Sequence, residues 1–125
     1  MKNYITRTID QTLLEWKERD VHKPLLLRGA RQVGKSSAVR QIGRQFQYFA
    51  EVNFERDQSV ATFFKGELDV RLIATKLSNY LQVPIIAGKT LLFLDEIQAC
   101  PEAIMALRFF KEDYPELHVV AAGSL

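Results

Sequence analysis

The sequence predicts an α/β fold with a parallel sheet, and two observations support that prediction. Short apolar runs alternate along the chain with longer segments in which apolar residues recur at helical spacing. One apolar run leads directly into the pattern Gly-x-x-x-x-Gly-Lys-Ser over residues 29–36, which is typical of a phosphate-binding loop between a strand and a helix. We therefore expect a ligand site at the carboxyl ends of the strands.

The first elements expected are a helix and the strand before the loop. Residues 8–11 (Thr-Ile-Asp-Gln) resemble a capping box, and apolar residues recur on one face at Ile9, Leu13 and Trp16. A helix of about three turns is therefore predicted within a leading segment, residues 1–20. Residues 24–28 are short, apolar and opened by proline, as expected of a strand.

The loop itself supplies the candidate nucleotide-binding residues. Gly29 and Gly34 lack Cβ, so the loop can turn its backbone N–H groups toward phosphate oxygens. Lys35 adds a positive charge for the outer phosphates, and the Ser36 hydroxyl is a candidate Mg²⁺ ligand. Arg31 fits either a phosphate contact or a surface charge. The predicted contact set is Gly29, Ala30, Arg31, Gln32, Val33, Gly34, Lys35, Ser36 and Ser37.

The middle of the chain continues the alternation of helices and strands. The helix after the loop begins at Lys35, and a second strand is predicted over residues 48–54. A short helix over residues 59–64 follows a polar loop. Asp69 is the expected cap of a longer helix, whose inner face should carry Leu72, Ile73, Leu77, Tyr80 and Leu81.

A third strand ends on two adjacent carboxylates. Residues 91–94 are continuously apolar and lead into Asp95 and Glu96, the Walker B pattern that accompanies phosphate-binding loops. Asp95 is predicted to hold Mg²⁺, and Glu96 to act as the general base on the attacking water. An acidic turn at the end of a strand is the alternative interpretation.

Residues 88–90 (Gly-Lys-Thr) look like the end of another phosphate loop, but the pattern is incomplete. The first glycine of the motif would fall at Val83, and the segment precedes a strand instead of a helix. We predict a turn into the third strand.

The last predicted elements are a helix and a fourth strand. Pro101 opens the helix, with Ile104, Leu107, Phe110 and Tyr114 facing inward, and the strand covers residues 118–122. Residues 24–125 thus form one core.

From the bulk composition we expect a cytoplasmic domain. The single cysteine offers no disulfide framework, and the net charge of +2 is too small to predict nucleic-acid binding. No apolar run approaches the length of a membrane span, so we expect no membrane association.

Five blocks of sequence together resemble the prokaryotic AAA-type ATPases that carry a C-terminal domain of unknown function. The blocks are residues 29–36, 52–55 (Val-Asn-Phe-Glu), 94–98 (Leu-Asp-Glu-Ile-Gln), 107–112 (Leu-Arg-Phe-Phe-Lys-Glu) and 121–125 (Ala-Ala-Gly-Ser-Leu). The resemblance implies a three-layer P-loop NTPase fold with the AAA+ strand order 5-1-4-3-2. It also implies a sensor role for Ser124 at the tip of the fourth strand, with a terminal small residue as the alternative.

The same resemblance implies further elements beyond Leu125, because family members continue into a fifth strand and a C-terminal domain. The chain is accordingly expected to be the N-terminal fragment of such an ATPase, lacking its arginine finger and second sensor. A homo-oligomer is one expected assembly.

Two classes of function remain open from the sequence. The first is a Mg²⁺-dependent ATPase with Lys35, Glu96 and Ser124 as its catalytic residues. The second is a non-hydrolysing nucleotide switch or a nucleic-acid-associated interaction module. A GTPase is disfavoured because the base-recognition pattern Asn/Thr-Lys-x-Asp does not occur.

Overall fold

The computed structural model describes residues 2–19, 23–29 and 34–124, with side chains from residue 9 onward within these ranges. The helices and strands of these ranges are α1 (Lys2–Glu18), β1 (Leu25–Leu27), α2 (Lys35–Gly43), β2 (Tyr48–Asn53), α3 (Val70–Leu81), β3 (Thr90–Asp95), α4 (Pro101–Asp113) and β4 (His118–Ala122). Short 3₁₀ helices cover Gln58–Phe64 and Ile97–Ala99. Within the described residues, no helix has the length and apolar character that a membrane span requires.

The four strands form one parallel sheet in the order β1-β4-β3-β2. This order is the one expected for the first four strands, so the predicted α/β P-loop-type fold is confirmed. In register, Leu27 lies opposite Ala122, and Asn53 lies opposite Asp95. The carboxyl ends of all four strands therefore meet at one edge, where ligands bind in such sheets.

Helices cover both faces of the sheet, which gives three layers. Alternate residues of β3 face opposite sides: Leu91 and Phe93 pack toward α1 and α2, whereas Leu92 and Leu94 pack toward α3 and α4. All four of these side chains are fully buried. A strand that is buried on both faces reads as a continuous apolar run, as the sequence of β3 does.

Several helices begin at residues whose type favours a helix start. Gly34 precedes α2 with a φ of 116°, in the left-handed region that favours glycine. The Asp69 side chain accepts a hydrogen bond from the Leu72 backbone N–H at 3.2 Å, which confirms its predicted role as the cap of α3. Pro101 occupies the first turn of α4, where a missing N–H costs nothing.

The start of the first helix differs from the prediction. α1 spans 17 residues, and Thr8 lies inside it, not at its N-terminal cap. No glycine or proline occurs between residues 2 and 8, so nothing in the sequence prevents the helix from extending past the apparent capping box.

Two residues of α3 were wrongly predicted to face inward. Leu72 is 48% exposed and Tyr80 is 46% exposed, whereas Ile73 and Leu77 are buried. At the surface, the Tyr80 hydroxyl donates a hydrogen bond to Asp57 Oδ2 at 2.6 Å. In α4 the buried residues are Ala103, Ala106 and the predicted Phe110. The other predicted inward residues, Ile104, Leu107 and Tyr114, are partly buried against the same core.

Candidate functional site

The two glycines of the loop lie at its ends, and both adopt positive φ. Gly29 follows β1 with a φ of 129°, and Gly34 precedes α2 with a φ of 116°. These angles are rarely accessible to residues with a Cβ, which explains why glycine is used at both positions. The predicted contacts of residues 30–33 lie outside the described residues.

Lys35 is the first residue of α2 and reaches across the sheet edge. Its Nζ donates to the carbonyl oxygen of Gly29 at 3.4 Å and to that of Gly123 at 3.3 Å. The ammonium group therefore lies between the end of β1 and the end of β4. The N-terminus of α2 adds the positive end of the helix dipole at the same place.

Ser36 and Asp95 are brought into direct contact from distant parts of the sequence. Ser36 Oγ donates to Asp95 Oδ2 at 3.0 Å. Asp95 is the last residue of β3 and is only 6% exposed, and its Oδ1 accepts the Glu96 backbone N–H at 2.9 Å. The two residues that the sequence assigned to Mg²⁺ are thus adjacent in space.

Glu96 follows β3 in a left-handed conformation, with φ 51° and ψ 48°. Positive φ is uncommon for residues other than glycine, and it is concentrated at functional sites and tight turns. The Glu96 side chain is half-buried and lines the pocket described below. Its Oε1 accepts a hydrogen bond from Gln98 Nε2 at 2.8 Å.

Gln98 is the residue of this site that the sequence prediction missed. Its Oε1 accepts the backbone N–H of Ser124 at 3.2 Å, so its side chain joins the 3₁₀ helix after β3 to the end of β4. The available signal was its place in the block 94–98, two residues after Glu96. Nothing in the pattern distinguished it from an ordinary turn residue.

The end of β4 completes the site. The Gly123 N–H donates to the Leu27 carbonyl oxygen at 3.1 Å, which holds this segment against the end of β1. Ser124 is exposed and lines the pocket. Ser37 lies on the exposed surface of α2 and does not line it.

These segments enclose a small pocket of about 50 Å³. Its lining residues are Lys35, Ser36, Asp95, Glu96, Ala122, Gly123 and Ser124. One cation, two carboxylates and two hydroxyls therefore converge at the carboxyl edge of the sheet. Among the described residues, no group of three or more His, Cys, Asp or Glu side chains could hold a metal ion by itself.

Arg40 lies farther along α2 and is engaged elsewhere. Its guanidinium pairs with Glu51 of β2 through two hydrogen bonds, of 3.0 Å and 2.7 Å. The hydrogen bond to Glu51 raises the pKa of Arg40 above its ordinary value, and the charge of Asp95 adds a smaller contribution. Arg40 thus fastens α2 to the sheet and does not line the pocket.

The fold and the pocket define an α/β protein with a nucleotide-binding, ATPase-like core. A family model described as an AAA domain matches residues 21–125, which is most of the chain. The chain therefore belongs to the AAA domain family. No curated protein matches the chain at a significant level.

Proposed function

We propose that this chain binds ATP together with Mg²⁺ and hydrolyses it. One observation supports this above all others: Lys35, the Ser36–Asp95 pair and Glu96 line the same pocket. Those side chains are the ones needed to bind the phosphates, hold the metal and activate water. They come from two segments about 60 residues apart in the sequence, and the parallel sheet joins them.

Phosphate binding falls to the loop and to Lys35. The loop ends on glycines with positive φ, and the N-terminus of α2 points at the pocket, so N–H groups and the helix dipole favour an anion there. The contacts of Lys35 Nζ with two carbonyl oxygens, at 3.3 and 3.4 Å, are long hydrogen bonds. A γ-phosphate oxygen is a stronger, charged acceptor and would replace them.

The residues present fit a magnesium ion. Ser36 Oγ and Asp95 Oδ2 are hard oxygen donors that lie 3.0 Å apart, so these two residues would hold the ion. Two protein ligands are also typical of Mg²⁺ that is shared with a nucleotide, because phosphates and water fill the other positions. The ion would neutralise charge on the phosphate oxygens.

Hydrolysis would use Glu96 as the base. Glu96 accepts a proton from water while the water oxygen bonds to the γ-phosphorus, and the bond from that phosphorus to the bridging oxygen of ADP breaks. Lys35 would stabilise the charge that develops on the phosphoryl oxygens. Ser124, just beyond β4, lines the same pocket, and this supports a contact between its side chain and the γ-phosphate or the attacking water.

The first test is stabilisation of the fold by nucleotide. At a hundredfold excess over Kd, MgATP should stabilise the protein by about 2.7 kcal/mol, which raises Tm by roughly 10 °C. Lys35→Ala should remove most of this shift. Lys89→Ala is the matched control, since Lys89 follows a glycine at the opposite end of β3, and its shift should equal that of the wild type. A folded wild-type protein without any shift would contradict the binding proposal.

A further inference from the structure

The Gln98 side chain connects the proposed base to the end of β4. Its Nε2 donates to Glu96 Oε1 at 2.8 Å, and its Oε1 accepts the Ser124 backbone N–H at 3.2 Å. Both the NH₂ group and the oxygen of the Gln98 amide thus make hydrogen bonds next to the pocket. Gln98 therefore touches the residue that would activate water without lining the pocket itself.

The chemistry of the partners fixes the orientation of this amide. A backbone N–H is only a donor, so the Gln98 atom that faces Ser124 must be the oxygen. The NH₂ group must then face Glu96, where an ionised carboxylate is only an acceptor. The hydrogen bond to that carboxylate is charge-assisted and is stronger than a neutral one.

The peptide group between Gly123 and Ser124 extends the connection to Lys35. Its carbonyl oxygen accepts from Lys35 Nζ at 3.3 Å, while its N–H donates to Gln98. One rigid peptide plane thus joins the phosphate-binding lysine to the amide that holds Glu96. Hydrogen bonds in such a chain polarise one another.

Gly123 permits the close approach of these groups. A Cβ at this position would lie 2.6 Å from Gln98 Oε1 and 3.1 Å from Ile97 Cγ2. Any side chain would therefore push the Gln98 amide away from the end of β4. The absence of a side chain at this position fits a requirement for that contact.

We propose that Gln98 is a positioning residue that holds the Glu96 carboxylate and, through the 123–124 peptide, ties its position to Lys35. This inference rests on the proposed ATPase function. When a phosphate draws Lys35 away from Gly123, the peptide and the Gln98 amide readjust, and Glu96 moves with them. Gln98 so links phosphate binding to the placement of the base.

The kinetic test replaces Gln98 with a side chain of similar length that makes neither hydrogen bond. Gln98→Met should lower kcat by about 10- to 100-fold, as expected for a misplaced catalytic group, while KM for ATP stays within about twofold. Gln41→Met is the matched control, because Gln41 is exposed on α2, and it should keep the wild-type kcat. A wild-type kcat in Gln98→Met would overturn the proposal.

A second variant separates the two hydrogen bonds. Gln98→Glu keeps an acceptor for the Ser124 N–H but removes the donor to Glu96 and places two carboxylates in contact. It should be at least as slow as Gln98→Met. Wild-type turnover by Gln98→Glu would show that the contact with Glu96 has no role in positioning.

A double-mutant cycle distinguishes failure of this inference from failure of the proposed function. If Gln98 acts through Glu96, adding Gln98→Met to Glu96→Gln should change kcat by less than about twofold. A slow Glu96→Gln variant with a fast Gln98→Met variant would reject only the role of Gln98. Wild-type turnover in Glu96→Gln would reject Glu96 as the base, and the proposed mechanism with it.

A spectroscopic test does not depend on ATP hydrolysis, so it tests the role of Gln98 even if the protein shows no measurable turnover. In ¹H–¹⁵N spectra of the nucleotide-free protein, Glu96→Ala should shift the Gln98 side-chain NH₂ and the Ser124 backbone N–H. In a Gln98→Met background, Glu96→Ala should leave the Ser124 N–H unshifted, because the connecting amide is gone. Equal shifts of Ser124 in both backgrounds, or an unshifted Gln98 amide, would overturn the connection.

Discussion

The chain contains two glycine-lysine-hydroxyl segments, residues 34–36 and 88–90, and they lie at opposite ends of the sheet. The first begins α2, where Lys35 and Ser36 line the pocket. The second forms a turn before β3, which begins at Thr90. The prediction that residues 88–90 form a turn is confirmed. Three residues of similar type thus have different structural environments.

The hydroxyl groups show what the difference means. Ser36 Oγ donates to a carboxylate at the carboxyl edge of the sheet. Thr90 is fully buried, and its Oγ1 donates to the Pro84 carbonyl oxygen at 2.8 Å and accepts the Ile86 N–H at 3.0 Å. The second hydroxyl therefore satisfies backbone groups of its own turn. The environment of such a short motif therefore depends on the sheet edge at which it lies, and not on its residue types alone.

A cavity of about 240 Å³ near Lys89 is larger than the proposed site. It is lined by Lys17, Gln45, Phe46, Gln47, Gly88, Lys89 and His118. Among the described residues, that lining contains no carboxylate, so it offers no hard metal ligand of the kind that Asp95 provides. The smaller pocket is the better candidate because catalysis depends on the groups that converge, not on volume.

The largest effect expected from this comparison is on turnover. Glu96→Gln keeps the shape of the side chain but removes the base, so kcat should fall by roughly 10² to 10⁴ while ATP still binds. Phosphate release under single-turnover conditions measures the rate. Lys89→Ala, at the other end of β3, should release phosphate at the wild-type rate.

Two outcomes would contradict that prediction in different ways. Equal rates in the wild type and Glu96→Gln would remove Glu96 from the mechanism. Binding of ATP without any turnover in the wild type would instead favour the non-hydrolysing nucleotide switch. The two results are separable because the thermal shift reports binding independently of chemistry.

The next effect contrasts the two ends of β3 directly. Asp95→Asn should weaken the Mg²⁺-dependent part of ATP binding by about 2 kcal/mol, or about 30-fold in affinity, with little loss of stability. Thr90→Val should lower the free energy of unfolding by about 1–3 kcal/mol, because it leaves the Ile86 N–H and the Pro84 carbonyl without their partner. Its affinity for MgATP should not change.

Titration calorimetry with and without Mg²⁺, together with urea unfolding, measures both quantities for each variant. The comparison fails if Asp95→Asn loses only stability or if Thr90→Val loses affinity. Either result would mean that the two ends of β3 do not divide ligand binding from folding.

The sequence predicted most of the fold because its signals were local and mutually consistent. The apolar run before Asp95 fits a strand buried on both faces, and Asp69 and Pro101 mark the starts of α3 and α4. The burial of Leu72 and Tyr80 was predicted wrongly because helical spacing shows which side of a helix faces the core, but not where the edge of the buried face lies. That edge depends on neighbouring elements.

The candidate site was predictable to a different degree. Lys35, Ser36, Asp95 and Glu96 belong to motifs with fixed spacing, and the structure brings them together as expected. The roles assigned to them stay predictions. Gln98 could not be assigned from its residue type, because its contact with Ser124 joins segments that are 26 residues apart. Contacts of that kind arise from the sheet order.

A smaller effect compares the two glycines that precede the lysines. Gly34 has a φ of 116° and Gly88 a φ of 81°, so Gly34→Ala and Gly88→Ala should each cost about 1–2 kcal/mol of stability. Only Gly34→Ala should also weaken ATP binding, since it distorts the loop before α2. Thermal unfolding with and without MgATP separates the two effects. Weaker binding in Gly88→Ala would show that residues 88–90 influence the site.

The smallest effect concerns a second Ser–Asp pair, Ser59 and Asp57, which lies at the surface instead of in the pocket. Hydrogen bonds from Ser59 first, and then from Tyr80, lower the pKa of Asp57 below its ordinary value of 3.8. Because the folded pKa is the lower one, this stabilisation is complete above pH 3.8 and is lost as the pH falls through the folded value. Asp57 is only half-buried at the surface of the protein, so the contribution is small.

Tyr80→Phe should therefore raise the pKa of Asp57 toward its ordinary value and change Tm by on the order of 1 °C. Carboxyl NMR titration of Asp57 measures the first quantity. Because the pair lies outside the pocket, MgATP should leave this titration unchanged in both the wild type and Tyr80→Phe. A titration of Asp57 that moved with MgATP would mean that the surface pair and the Ser36–Asp95 pair respond to the same ligand, and the contrast between them would be lost.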